Sequence, residues 1–475
     1  MTEIPLYRWS ARALADGIAA REISAAEVMR AHLDRIADVE HDVAAFVSMV
    51  PEAEAMAMAD AADRAVAAGE PLGPLHGLPT GVKDLIDVAG LPTSHGSAAY
   101  LDAAPATSDS VLAENLRRAG ALIIGKTNTP EVGLGTLTFN PVRGVCRNPW
   151  DLSRHAGGSS GGAGAALAAG MLPIADGSDS GGSIRYPASF CNIVGLRPTP
   201  GTVPTGRLGN GWDPHGVLGP MARDSADVAL ILSGISGLDR RAPLSWVPDA
   251  AVFSEVAPLP VEQICLGWSP DVGGLPIDPE VRQALSRARE QLEAAGVEII
   301  DLEPDLAGAD ECWQAIEMFG FGTDGSARFA EGRTGFRDDY LRNVAEGRAL
   351  TADQYAAALA QRTQIFRRTA EVLTKVDAVI YPATPVAAPA AELEWVPEVD
   401  GVVFDRYFLW QRAACRLTVT GHPVLATPAG FTSGGLPVGM QLLGPSRGDA
   451  RLLAIGMAVE AVLGHVGRVP TAIPA

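Results

Sequence analysis

Two glycine-dense, serine-bearing segments flank a stretch that must return the chain on itself. They are Gly157-Gly158-Ser159-Ser160-Gly161-Gly162 and Gly177-Ser178-Asp179-Ser180-Gly181-Gly182-Ser183-Ile184-Arg185. The alanine-rich run from Ala163 to Gly170 predicts a helix, because alanine has the best helix propensity and glycine suits the C-terminal stop. Met171 to Ala175 then reads as a buried strand. About eleven helical residues climb roughly 16 Å, and about five strand residues return roughly 17 Å. Run in opposite directions, these displacements nearly cancel. The loops that hold Ser159 and Ser183 are therefore expected to meet.

The rest of the chain supports one large domain. Its 475 residues contain no charge block, repeat or low-complexity tract, and 52 glycines with 35 prolines stay below the roughly 25–30% that marks disorder. The proline-rich stretch from Gly237 to Pro260 reads as a surface excursion, since apolar segments follow it. A net charge of −19 argues against nucleic acid, which selects basic patches. The longest apolar run, Ala163 to Ala175, is shorter than the roughly 20 residues a membrane span needs. The amino-terminal Met1-Thr2-Glu3-Ile4-Pro5 lacks the basic and apolar regions of a secretory signal. Five cysteines without a Cys-x-x-Cys pair fit free thiols in a reducing compartment. A cytoplasmic location is the expectation, with no membrane partner.

Strand and helix patterns alternate after a helical start. Ser24-Ala25-Ala26-Glu27 fits a capping box before the amphipathic run Val28 to Ile36. Met56 to Ala68 reads as a second helix, ending at Gly69. Leu78 to Val82, Ala121 to Ile124, Val297 to Ile300, Ala378 to Tyr381, Val419 to Leu425 and Met440 to Leu443 read as strands. Ser110 to Ala119, Pro279 to Ala295 and Ala352 to Thr374 read as helices. The alternation predicts an α/β fold, with a mixed, largely parallel twisted sheet covered by helices on both faces.

Several motifs match a chemistry formally and fail on context. Gly157-x-Ser159-x-Gly161 has the spacing of a hydrolase elbow, but polar, proline-broken residues precede it where an apolar strand is required. Gly320-x-Gly322-x-x-Gly325 follows a helix-like stretch, not a strand. The eight histidines form no metal-ligand spacing, so neither metal nor cofactor is expected. What remains is a serine that needs a base. Lys83, at the end of Pro74-Leu75-His76-Gly77-Leu78-Pro79-Thr80-Gly81-Val82-Lys83-Asp84, can serve only if it is neutral. Keeping it neutral at pH 7 costs about 4.6 kcal/mol, which demands a largely desolvated site.

These residues carry a family resemblance. The tract from Gly157 to Pro198, the lysine segment Gly77 to Asp87, and Ile124-Gly125-Lys126-Thr127-Asn128 resemble the amidase signature family. Tyr381-Pro382-Ala383-Thr384-Pro385 and Gly421-His422-Pro423 through Gly444 are similar too, so the likeness spans about residues 10 to 465. One departure is Ser180, where threonine is common. The resemblance implies the amidase signature fold and a catalytic set of Lys83, Ser159 and Ser183. Ser183 would attack the carbonyl, Ser159 would relay its proton from behind a cis peptide, and Lys83 would receive it. The backbone N–H groups of Ser180, Gly181, Gly182 and Ser183 would form the oxyanion hole. Ser160 is expected to bond locally at the helix start, and Ser178, Asp179 and Arg185 to brace the nucleophile loop.

By the same resemblance, residues 1–70 form a helical amino-terminal segment and 71–235 the catalytic core. Residues 236–400 hold the variable pocket region, and 401–475 the closing strands and helix. The expected substrate is a small, neutral aryl or aliphatic amide, and the same nucleophile and oxyanion hole would also serve esters and carbamates (urethanes). Gly133 aligns with a position lining the acyl pocket. Substrate choice is expected in Thr205 to Gly216, with Gly206, Gly209, Gly211 and Trp212, and in Glu311 to Tyr340. The second stretch carries Trp313, Phe319, Phe321, Phe329, Phe336 and Tyr340 as candidate apolar lining. A homodimer is left open. The alternative is the glutaminase-type subunit of a tRNA-dependent amidotransferase, which would need a basic residue such as Arg342 in Tyr340-Leu341-Arg342-Asn343.

Overall fold

The computed structural model describes residues 4–206, 210–246 and 250–474. Among them, eleven strands form one sheet. In chain order these are β1 (Phe46–Met49), β2 (Pro79–Lys83), β3 (Leu122–Thr127), β4 (Ile174–Asp179), β5 (Val194–Arg197) and β6 (Val217–Ala222). There follow β7 (Cys265–Trp268), β8 (Glu298–Asp301), β9 (Ala378–Pro382), β10 (Val424–Phe431) and β11 (Pro437–Leu443). Across the sheet the order is β1-β3-β2-β4-β6-β5-β10-β11-β9-β7-β8.

The sheet is mixed, as the alternation of elements implied. Parallel pairing holds in two blocks, β3-β2-β4 and β9-β7-β8. The strands between these blocks pair antiparallel, as does β1 at the edge. Side chains that alternate along a strand enter two different cores. On β9, Ala378 and Ile380 pack with Val281, Leu285, Leu452 and Ile455 from the helices Pro279–Ala294 and Asp449–Leu463. Val379 and Tyr381 pack instead with Trp313, Ile365 and Leu417 from Ala309–Ala330, Ala352–Val372 and Arg412–Val419. Both faces are therefore covered by helices.

The local signals act where expected. Ser24 and Glu27 make a complete capping box ahead of Ala25–Val43. The helix Glu52–Ala68 stops at Gly69, which takes a left-handed conformation. Two strand boundaries differ from the sequence reading. The strand after the alanine-rich helix runs to Asp179, because Gly177, Ser178 and Asp179 pair with Gly219, Leu218 and Val217 in mid-sheet. Residues 412–419 are helical, and β10 begins only at Val424, after the turn at Gly421 and Pro423. No helix among the described residues is long and apolar enough to cross a membrane.

Candidate active site

The alanine-rich helix, Gly161–Ala169, is buried along its whole length. It ends at Gly170 (φ 77°), and the chain then enters β4. The helix start packs hard against the end of β3. A Cβ on Gly162 would fall 2.2 Å from Asn128 N, and Gly162 N–H donates to the Asn128 carbonyl at 3.0 Å. The two glycine-serine loops meet directly, with Ser160 N–H donating to the Ser183 carbonyl at 3.0 Å. The Gly158–Ser159 peptide bond is cis.

Lys83 closes the constellation from the end of β2. Its Nζ lies 2.7 Å from Ser159 Oγ, 2.9 Å from Ser160 Oγ and 2.9 Å from Ser178 Oγ. Ser160, expected to bond locally at the helix start, and Ser178, expected to brace its loop, both contact the lysine itself. Ser160 makes no side-chain cap to its helix. Its oxygen accepts from Lys83 and from Ser178 N–H instead. Lys83 has no exposed surface, and burial drives its pKa down to about 7 against the opposing pull of Asp176 and Asp179. A neutral amine keeps two N–H donors and gains a lone pair that can take a hydroxyl proton.

Two buried carboxylates frame this lysine. Asp176 Oδ1 accepts the Lys83 backbone N–H at 3.0 Å, and burial lifts its pKa to about 6 against the nearby lysine charges. Burial also pushes Asp179 upward, but Arg185 and Arg197 outweigh it and hold the carboxyl well below the usual range. Asp179 receives Gly182 N–H at 2.9 Å and Ile184 N–H at 3.2 Å, one on each side of Ser183. This corrects one expected oxyanion donor, since the Gly182 N–H points to Asp179. The N–H groups of Ser180, Gly181 and Ser183 have no acceptor among the described residues.

A cavity of 270 Å³ opens on Ser159, Ser178, Ser183 and Gly133. Its outer wall is more polar than the aromatic count suggested. The helix Ala309–Ala330 contributes Glu317, Gly320, Phe321, Asp324 and Arg328, a spacing of three and four residues that fits one helical face. The glycines of the supposed dinucleotide motif lie inside this helix. Glu317 accepts from Ser180 Oγ at 3.1 Å, and His215 Nε2 stands 3.1 Å from its other oxygen. Arg328 donates to Asp324 and to the Tyr100 hydroxyl, both at 2.7 Å. Glu317, Asp324, Arg328 and His215 were not singled out from sequence, although three-and-four spacing was present in the flagged segment.

Other expected lining residues sit elsewhere. Trp212 is 71% exposed, held in a local turn where its N–H donates to Asn210 Oδ1. Phe319 lies two residues from the Glu317 position, which turns it about 200° away around the helix. It stacks on Tyr355 with ring centroids 4.0 Å apart and lines an adjoining cavity. Trp313 backs the nucleophile loop by donating Nε1–H to the Ser180 carbonyl at 2.7 Å. Phe329, Phe336 and Tyr340 pack in the second core. Gly209 lies outside the described residues. Arg342 is exposed beside Glu346 and does not line the cavity. The strand before Ser159, Asp151–His155, pairs in a two-stranded ribbon outside the main sheet. Ser159 therefore lacks the strand of a hydrolase elbow.

Comparison with known proteins agrees with this architecture. A family model described as Amidase matches residues 27–453. The chain is 35% identical over 471 residues to the acylamidase of Rhodococcus erythropolis, with 97% of each chain covered. It is 36% identical to a glutamyl-tRNA(Gln) amidotransferase subunit of Acidothermus cellulolyticus, covering 96% of this chain and 94% of that one. The fold matches a bacterial aryl acylamidase of the amidase signature enzymes with a TM-score of 0.90 at 26% identity, covering 99% of this chain and 100% of the other. A 6-aminohexanoate cyclic dimer hydrolase matches with a TM-score of 0.87 at 25% identity and the same coverage. The chain therefore belongs to the amidase signature family and is an amide-hydrolysing enzyme.

Proposed function

We propose that the chain hydrolyses neutral aryl or aliphatic amides through an acyl-enzyme on Ser183. Ser183 Oγ attacks the carbonyl carbon while its proton passes through Ser159 to the neutral Lys83 amine. The tetrahedral oxygen accepts from the N–H groups of Ser180, Gly181 and Ser183, donors already fixed in place before charge develops. Collapse breaks the C–N bond, and the leaving nitrogen takes the proton back from Lys83 by way of Ser159. Water then attacks the ester carbon, releasing a carboxylic acid and restoring Ser183. The observation that carries this reading is Lys83 Nζ, fully buried and 2.7 Å from Ser159 Oγ. Esters and carbamates, including urethanes, would use the same nucleophile and donors.

The test is a screen of the purified chain against anilides, aliphatic amides, carbamates and esters. Turnover of at least one amide class that vanishes in Ser183→Ala supports the reading, and turnover that survives the change overturns it. A second reading, the glutaminase-type subunit of a tRNA-dependent amidotransferase, is favoured by the 36% identity to one such protein. Arg328 lines the cavity and would supply its cation. Ammonia release from glutamine, with no turnover of any other amide, would establish that alternative.

A further inference from the structure

A second cavity, of 390 Å³, shares no lining residue with the catalytic one. Its wall includes Arg362 from the helix Ala352–Val372, Arg447 from the turn before Asp449–Leu463, Trp246, Thr363 and Phe366. Among the described residues, no aspartate or glutamate lines it. Two arginines and no acid in one concavity run against a chain whose net charge is −19.

The donors there are under-used. Arg362 is only 9% exposed. Its Nη2 donates to the Pro214 carbonyl at 3.3 Å, while its Nη1 is buried without an acceptor. Trp246 Nε1 is likewise buried without one. Arg447 lies over the Trp246 ring, 5.3 Å from its centroid. Asp449 gives both oxygens to Thr199, and Asp213, whose charge acts on Arg362, lies on the wall of the catalytic cavity. A buried donor without an acceptor is destabilising, so a ligand that supplies acceptors is favoured here.

We propose that this cavity is a binding site for a small organic anion, a carboxylate or a phosphate, held by Arg362 and Arg447 with its body against Trp246 and Phe366. The volume falls within the roughly 300–1,000 Å³ typical of small-molecule sites. Guanidinium groups suit the planar, bidentate recognition of either anion.

Calorimetric titration of the full chain with sodium benzoate and with inorganic phosphate, at constant ionic strength, tests the proposal. Saturable binding of at least one probe is expected, and the probe that binds identifies the anion class. Arg447→Gln, an exposed position whose loss should not unfold the chain, is expected to weaken that binding about tenfold or more. Amide turnover should be unchanged in this variant. Arg362→Gln provides a second, buried test of the same pocket. The proposal is overturned if neither probe saturates, or if Arg447→Gln binds as tightly as the parent. It is also overturned if an amide substrate displaces the probe, which would place the anion in the catalytic cavity.

Discussion

Arg185 grips Asp179 through two N–H···O bonds of 3.0 and 2.8 Å, with both side chains fully buried. The remaining guanidinium donors reach Gln441, Thr418 and the Ala414 carbonyl. Asp179 passes this anchorage to the N–H groups of Gly182 and Ile184. The nucleophile loop is thus tied to the helix Arg412–Val419 and to β11. Replacing Arg185 leaves the buried Asp179 with only the longer contact to Arg197, at 3.7 Å, and breaking a buried pair costs about 3–5 kcal/mol. Arg185→Met is expected to lose that much stability in denaturant unfolding. A loss below about 1 kcal/mol, the range of an exposed pair, would contradict this role.

Lys83 sets the acid limb of the pH profile. The productive form is the neutral amine, so kcat/KM is expected to rise with pH through about 7 and then level off. A limb centred near pH 10 would mean an unshifted lysine and would contradict the assignment.

The same shift has a stability consequence of definite sign. Unfolded lysine keeps its proton up to about pH 10.4, whereas the folded one loses it near pH 7. Between these values the unfolded state binds more protons, so stability climbs as pH rises through that window. Below pH 7 the full penalty applies, about 5 kcal/mol. Lys83→Met is expected to abolish turnover and yet raise Tm at pH 7, even after Ser159, Ser160 and Ser178 lose a partner. A lower Tm than the parent would contradict the inferred desolvation.

Glu317 places a carboxylate beside the nucleophile loop, where it accepts from Ser180 Oγ. Glu317→Gln retains shape and removes charge. For amides carrying an amino group, KM is expected to rise about tenfold, the loss of one charge-assisted hydrogen bond. KM for neutral amides should stay within about twofold, since neutral hydrogen bonds survive the change. Equal changes for both substrate sets would assign Glu317 to bracing Ser180 alone.

Gly133 sits at φ 77° in the catalytic cavity, and a Cβ there would lie 2.9 Å from Leu85 Cδ1 and 3.8 Å from Ser159 Oγ. Leu85 can yield, so Gly133→Ala is expected to fold with a loss of about 1–2 kcal/mol for the left-handed backbone. Turnover of bulky acyl groups should fall more than that of acetyl amides in parallel assays. Equal loss for both would place the acyl group elsewhere.

The loops of the site were legible because their chemistry is local. Glycine and serine runs, the alanine helix and the strand that ends at Lys83 each follow from short-range propensity, and their meeting follows from element lengths. The specificity wall was not legible in the same way. Trp212 and Phe319 were singled out by residue type, yet a local turn sends one to solvent and helical phase turns the other toward Tyr355. Glu317 and Arg328 reach the cavity only because a helix far along the chain packs over the nucleophile loop. The helix over residues 412–419 was missed because the strand was read from its last residue, Val419, across Thr420-Gly421-His422-Pro423 to the apolar start of β10 at Val424. Short apolar runs do not separate helix from strand.

The division of roles between the two serines is tested most directly by peptide mass spectrometry of the chain trapped with an acylating inhibitor. The expected result is a single adduct on the peptide containing Ser183, absent in Ser183→Ala and slowed in Lys83→Met. An adduct on Ser159 would exchange the nucleophile and the relay, and would contradict the mechanism proposed above.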